Sequence, residues 1–149
     1  MSPTNKTMLS LGYLGLVPFS VGLILTISNI ELLNLNGATV FTTYSAVILS
    51  FLSGVLWGSG IASKQNDAVQ NLLIVSNVFA LVAWLVLLID SNNFYLATML
   101  LTAGYLSIWF IERHNMSESR KEERSFYLTM RSKLTSFVVF MHVLALIFK

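Results

Sequence analysis

The sequence predicts an all-α membrane protein: a compact bundle of five transmembrane helices, with the N-terminus in the cytoplasm and the C-terminus on the opposite side. Three observations predict it. Of 149 residues, 55% are hydrophobic and only 11% are charged, with a mean hydropathy of +0.72; a soluble domain carries about 25% charge. Apolar stretches of the ~20 residues that a helix needs to cross a bilayer core recur five times. With five crossings, Lys6, Lys64, Arg113, Arg120, Lys121, Arg124, Arg131 and Lys133 all fall on one side, and of the nine basic residues only Lys149 falls on the other. The positive-inside rule makes the first side cytoplasmic, and four or six crossings would spoil the partition.

Taken in order, the spans cover about 8–28, 40–62, 72–89, 94–111 and 126–148, within a single transmembrane domain 1–149. The first has Lys6 as its only preceding basic residue and no A-x-A-like cleavage site, so it reads as a retained helix rather than a signal peptide. The links 29–39, 63–71 and 90–93 are short and mostly polar, which makes consecutive helices antiparallel neighbours. The longest soluble stretch, the cytoplasmic hairpin 112–125, mixes Glu118, Glu122 and Glu123 with Arg120, Lys121 and Arg124. That pattern suits a solvated helical extension with internal ion pairs better than a docking surface for anionic lipid heads.

Lipid tails are as apolar as leucine, so membrane helices associate through close packing and interhelical hydrogen bonds. Ala46, Ser50, Gly54, Gly58 and Ala62 recur every four residues along the second span. Such a stripe of small residues predicts a central helix that others approach closely. The first span holds Gly12, Gly15 and Gly22 around Pro18. Pro18 removes one backbone hydrogen bond and kinks the helix, and the freed carbonyl needs a partner such as a serine hydroxyl or a water.

Three stretches carry a resemblance: GYLGLVPF (Gly12–Phe19), YSAVILSFLSGVLWG (Tyr44–Gly58) and RSKLT (Arg131–Thr135). Together they resemble a family of small inner-membrane proteins of unknown function that includes mitochondrial transmembrane protein 69. The chain departs from the pattern at Leu56, where relatives often carry a polar or basic residue before the Trp-Gly pair. The resemblance implies a membrane bundle and no activity. With no transit peptide in view, the expected home is a bacterial inner membrane.

A search for chemistry yields little. There are no cysteines, which removes disulfides, iron–sulfur ligands and thiol nucleophiles. Glu31, Asp67, Asp90, Glu112, Glu118, Glu122 and Glu123 all fall in links or at helix ends, whereas ion-coupled transporters commonly place an acid at mid-membrane depth. His114 and His142 lie at different depths: His142 is about 16 Å along its helix from Arg131 at the usual helical rise, so the two histidines share no metal or haem iron. The sequence implies no cofactor. His142 remains a functional candidate as an ionisable group inside the membrane; the plainer reading is a neutral imidazole bonded to a carbonyl or to a hydroxyl such as that of Ser20. Arg131 either snorkels to the headgroups or turns inward, to pair with Glu112 or to hold a carboxylate or phosphate. Tyr13, Tyr44, Asn77, Thr98, Thr102 and Tyr105 form a polar spine or a set of interhelical hydrogen bonds, and Trp57 lines a pocket or packs. The candidate ligand or polar site is therefore Tyr44, Trp57, Asn77, Arg131, Thr135 and His142, with no catalytic or metal site among them.

Two functions compete. One is a non-enzymatic accessory or assembly partner of a larger membrane complex, expected from the small size, the charged hairpin and the lack of a catalytic constellation. The other is a protein that binds or transports a small lipophile in a cavity inside the bundle, expected from Pro18, the glycines and the intramembrane polar groups. An enzyme acting on lipid ranks below both. The expected partners are membrane lipids, a protein of a membrane complex or a second copy of the chain, and no nucleic acid; the sequence leans to the accessory role.

Overall fold

A computed structural model describes residues 3–62, 67–89, 93–115 and 121–149. Lys64, Asp90, Glu118 and Arg120 lie outside the described residues, as do the side chains of Asp67, Lys121, Glu122, Glu123 and Arg124. The chain forms α1 (Pro3–Leu14), α2 (Leu16–Ser28), β1 (Glu31–Leu32), β2 (Leu35–Asn36), α3 (Gly37–Ala62), α4 (Asp67–Leu88), α5 (Phe94–Asn115) and α6 (Lys121–Phe148). Among the described residues, five segments are long and apolar enough to cross a membrane, with α1 and α2 together forming the first, Pro3–Ser28.

The first span starts earlier than residue 8 and breaks at Gly15 rather than at Pro18. Pro18 has no N–H for the carbonyl four residues back, at Leu14, so the helix parts within the preceding turn. The Gly15 N–H still reaches the Leu11 carbonyl at 2.9 Å, and the Tyr44 hydroxyl of α3 donates to the Gly15 carbonyl at 2.9 Å. A tyrosine of the next span thus serves the exposed backbone at the break, as irregular backbone inside a membrane requires.

The link after α2 is more ordered than a polar loop. Asn29 (φ 51°) ends the helix in a left-handed conformation, with Ile30 N–H bonded to the Leu25 carbonyl at 3.0 Å, the pattern of a Schellman cap. β1 and β2 then pair antiparallel around Leu33 (φ 54°) and Asn34 (φ 62°), a two-residue hairpin whose turn matches the strand twist. Asn36 caps α3, its Oδ1 accepting from the Thr39 N–H at 2.8 Å.

α3 packs against α2, α4 and α5, while α6 packs against α5 and α2. Their shared core contains Phe19, Phe41, Leu49, Leu101, Tyr105, Ile108 and Ala145. Many large apolar side chains, among them Ile24, Trp84 and Phe140, instead point outward, as a bilayer solvent allows.

The small-residue stripe needs correcting. Only Ala46 of its five members is buried; Ser50, Gly54, Gly58 and Ala62 are exposed, and a Cβ at Gly54 or Gly58 would meet nothing within 4 Å. α3 packs through the neighbouring face of Phe41, Ser45, Leu49, Leu52, Leu56 and Gly60, because the larger apolar side chains give more contact than the stripe does. The close backbone approaches occur elsewhere. A Cβ at Gly22 would lie 3.0 Å from the Phe41 Cα, and one at Gly37 would overlap the Leu25 carbonyl and the Thr26 nitrogen. These two glycines set the α2–α3 distance.

Candidate functional site

Two polar clusters sit among the helices of the described residues. The inner one is built on His142 of α6 and Ser45 of α3, both fully buried. His142 Nδ1 lies 2.8 Å from the Val138 carbonyl oxygen, which can only accept, so Nδ1 carries the hydrogen. Nε2 lies 2.8 Å from Ser45 Oγ; in the uncharged ring it is the acceptor, and the serine donates. The Tyr105 hydroxyl of α5 donates to the Ser45 carbonyl at 2.8 Å. Phe41, Tyr105 and Phe19 enclose the imidazole, with ring centroids at 4.9, 5.6 and 5.9 Å. Thus two short interhelical hydrogen bonds tie α3 to α6 and to α5, and α2 supplies a ring. Ser20, the hydroxyl expected for His142, instead bonds the Leu16 carbonyl of its own helix at 3.2 Å.

The outer cluster joins α5 to α6. Arg131 turns inward, and its Nε donates to Glu112 Oε2 at 2.8 Å, with the side chains 9% and 4% exposed. Tyr127, one turn before Arg131, donates to Glu112 Oε1 at 3.1 Å. Glu112 is therefore not in a solvated hairpin: α5 runs on to Asn115 and α6 begins at Lys121, which shortens the link and carries the carboxylate into the bundle. A buried charge needs a counter-charge and hydrogen bonds, and Arg131 with Tyr127 supplies both.

Between the clusters lies a cavity of about 150 Å³, lined by Gly12 and Leu11 of α1, Phe19 of α2, Ile48, Phe51 and Leu52 of α3, Tyr105 of α5, and Arg131, Leu134, Thr135 and Val138 of α6. Arg131 Nη2 and Thr135 Oγ1 are buried with no protein hydrogen-bond partner among the described residues. Gly12 belongs to the wall for a steric reason: a Cβ there would lie 2.8 Å from Leu134 Cδ1.

Of the six site residues read from the sequence, Arg131 and Thr135 share the cavity, Tyr44 serves the break beside it, and His142 lies deeper in the bundle. Trp57 and Asn77 do not join them. Trp57 is exposed on α3, and Asn77 is exposed on α4 with its amide donating to the Leu73 carbonyl at 2.9 Å. In the supposed spine, Thr98 and Thr102 likewise bond carbonyls of their own helix, at 2.8 and 2.7 Å. Sequence reasoning missed Ser45 and Phe19; Ser45 lies one residue from the Ala46 stripe, but its inward direction is set by how α3 packs and not by periodicity. No group of three His, Cys, Asp or Glu able to hold a metal occurs among the described residues.

A family model described as protein of unknown function (DUF3429) matches residues 4–147. The chain belongs to that family. The match takes in both clusters and the cavity, so the DUF3429 unit is the whole bundle and not one part of it. No curated protein and no solved structure matches the chain.

Proposed function

We propose that this DUF3429 protein is a non-enzymatic, multi-pass protein of a bacterial inner membrane, with its N-terminus in the cytoplasm, that binds a lipophilic ligand inside its bundle. The observation that carries this is the cavity at Arg131 and Thr135, where two buried polar atoms lack protein partners. Buried polar groups are hydrogen-bonded in all but a few cases, and each exception asks for an explanation. A ligand acceptor seated there is that explanation. The side on which eight of nine basic residues gather supports the orientation. The three stretches Gly12–Phe19, Tyr44–Gly58 and Arg131–Thr135 support placing the chain beside mitochondrial transmembrane protein 69 within the family. The sealed Ser45–His142 pair supports a structural use of that dyad rather than nucleophilic catalysis, because neither side chain is accessible. The test is native mass spectrometry of the protein extracted with its own lipids. A defined small molecule retained by the wild type and lost from Thr135→Val supports binding; identical spectra refute it.

A second reading, an accessory or assembly partner in a membrane complex, is favoured by the outward face of Ser50, Gly54 and Gly58. There another helix, from a second copy or from another protein, finds room for close approach. Under this reading Gly54→Leu and Gly58→Leu lower the mass of the extracted assembly while leaving the bundle folded. An unchanged mass refutes it.

A further inference from the structure

The cavity also carries information about what it accepts. Arg131 brings one positive charge, and Glu112 already neutralises it through a 2.8 Å ion pair with both groups buried. Tyr127 adds a hydrogen bond to the same carboxylate. The cluster is therefore electroneutral before any ligand arrives. A carboxylate or phosphate entering beside Arg131 would bring a second negative charge close to Glu112, in a low-dielectric interior where like charges repel strongly and an unpaired charge is costly. A neutral acceptor meets no such cost. The groups left over are Arg131 Nη2, which only donates, and the Thr135 hydroxyl, which can donate.

The remaining wall is apolar and sets the ligand's shape. At about 150 Å³ the cavity is small beside the ~300–1,000 Å³ of sites that enclose a whole drug-sized molecule. It takes a head group and leaves the rest outside. Leu11 and Phe51 line it and are 65% and 66% exposed, so they form a rim that faces the surrounding acyl chains. A tail passing between them stays in an apolar phase.

Resting on the binding reading above, we propose that the cavity holds the neutral carbonyl head of a membrane-dissolved amphiphile, an ester or a quinone, with Arg131 Nη2 and Thr135 Oγ1 donating to the carbonyl oxygen and the tail leaving past Leu11 and Phe51. Fatty anions and phosphate heads are excluded by Glu112, which makes that carboxylate a specificity-determining residue.

The test uses the full chain in a neutral maltoside detergent at pH 9, titrated with radiolabelled ethyl laurate, decyl-benzoquinone and laurate. The wild type is expected to bind at least one neutral probe about tenfold or more tightly than laurate, and the ranking of ester against quinone identifies the source of the carbonyl. Thr135→Val, which keeps shape and removes one donor, weakens the neutral probe roughly three- to tenfold, the equivalent of one hydrogen bond. Arg131→Lys keeps the charge opposite Glu112 but removes Nη2, and weakens it similarly. Glu112→Gln leaves the site net positive and reverses the preference, so that laurate gains about tenfold or more while the neutral probe changes little. If laurate binds the wild type as tightly as the neutral probes and depends on Thr135, the binding reading stands and the neutral class is overturned. If no probe binds, or if binding ignores Thr135→Val and Arg131→Lys alike, the binding reading falls and the ligand class falls with it.

Discussion

His142 shows what one ionisable side chain costs and contributes inside this bundle. Nδ1 is used by the Val138 carbonyl and Nε2 by the Ser45 hydroxyl, so both ring nitrogens are satisfied and the imidazole needs no counter-charge. Removing either partner of the Ser45–His142 bond leaves a buried group unpaired, which costs about 1–3 kcal/mol. Replacing both with apolar groups removes the need as well as the bond. Ser45→Ala and His142→Phe are therefore each expected to lower the unfolding free energy by about 1–3 kcal/mol, and the double variant by less than the sum. The coupling is expected at roughly 0.5–1.7 kcal/mol, the range for hydrogen bonds between membrane helices. A double-mutant cycle of thermal unfolding in detergent measures it, and strict additivity refutes the coupling. The Arg131–Glu112 pair follows the same logic with a larger penalty, since breaking a buried ion pair on one side costs about 3–5 kcal/mol. Arg131→Met is thus expected to be far more damaging than Thr135→Val in the same unfolding assay, although both residues line one cavity.

At the scale of elements, two glycines let α2 and α3 approach closely, whereas Gly54 and Gly58 of the small-residue stripe face outward. A methyl at Gly37 would overlap the Leu25 backbone, which cannot swing aside as a side chain can, while a methyl at Gly54 meets nothing within 4 Å. Gly37→Ala is expected to cost about 1–3 kcal/mol through overpacking. Gly54→Ala is expected to be neutral or to stabilise by up to ~1 kcal/mol through helix propensity. Unfolding midpoints of the two variants, side by side, decide whether α3 is positioned by its stripe or by its N-terminal turn. The contrast also shows what was legible in the sequence. The four-residue period of Ala46 to Ala62 is real, but periodicity identifies a face and not the direction in which it points; Phe41, Leu49 and Leu56 on the adjoining face took the interior. The break at Gly15 was readable in kind from Pro18, since a proline must free a carbonyl. Its Tyr44 partner was not readable, because that contact joins residues 29 apart in sequence and depends on how two spans cross. Glu112 was assigned to the solvated hairpin because apolar content falls off before the helix ends; its pairing with Arg131 was one of the two sequence readings of that arginine, and the structure bears it out.

For the molecule as a whole, hydropathy alone locates five segments able to cross a membrane among the described residues, and this was the most legible property of the chain because it depends on composition summed over ~20 residues rather than on any one contact. The side on which the chain starts depends on a different quantity, the distribution of nine basic residues. The chain contains no cysteine, so a single introduced cysteine is a unique label. Lys6→Cys sits in α1 ahead of the first break, Leu33→Cys at the tip of the β1–β2 turn, where the native side chain is 86% exposed, and Lys149→Cys at the chain end. With the N-terminus cytoplasmic and five crossings, a membrane-impermeant maleimide added to intact spheroplasts labels Leu33→Cys and Lys149→Cys and spares Lys6→Cys until the membrane is opened. Labelling of Lys6→Cys alone would invert the orientation and place Arg131, Glu112 and the cavity mouth in the outer half of the bilayer. Labelling of Lys6→Cys together with Lys149→Cys would require an even number of crossings, and would break the charge partition from which the orientation follows.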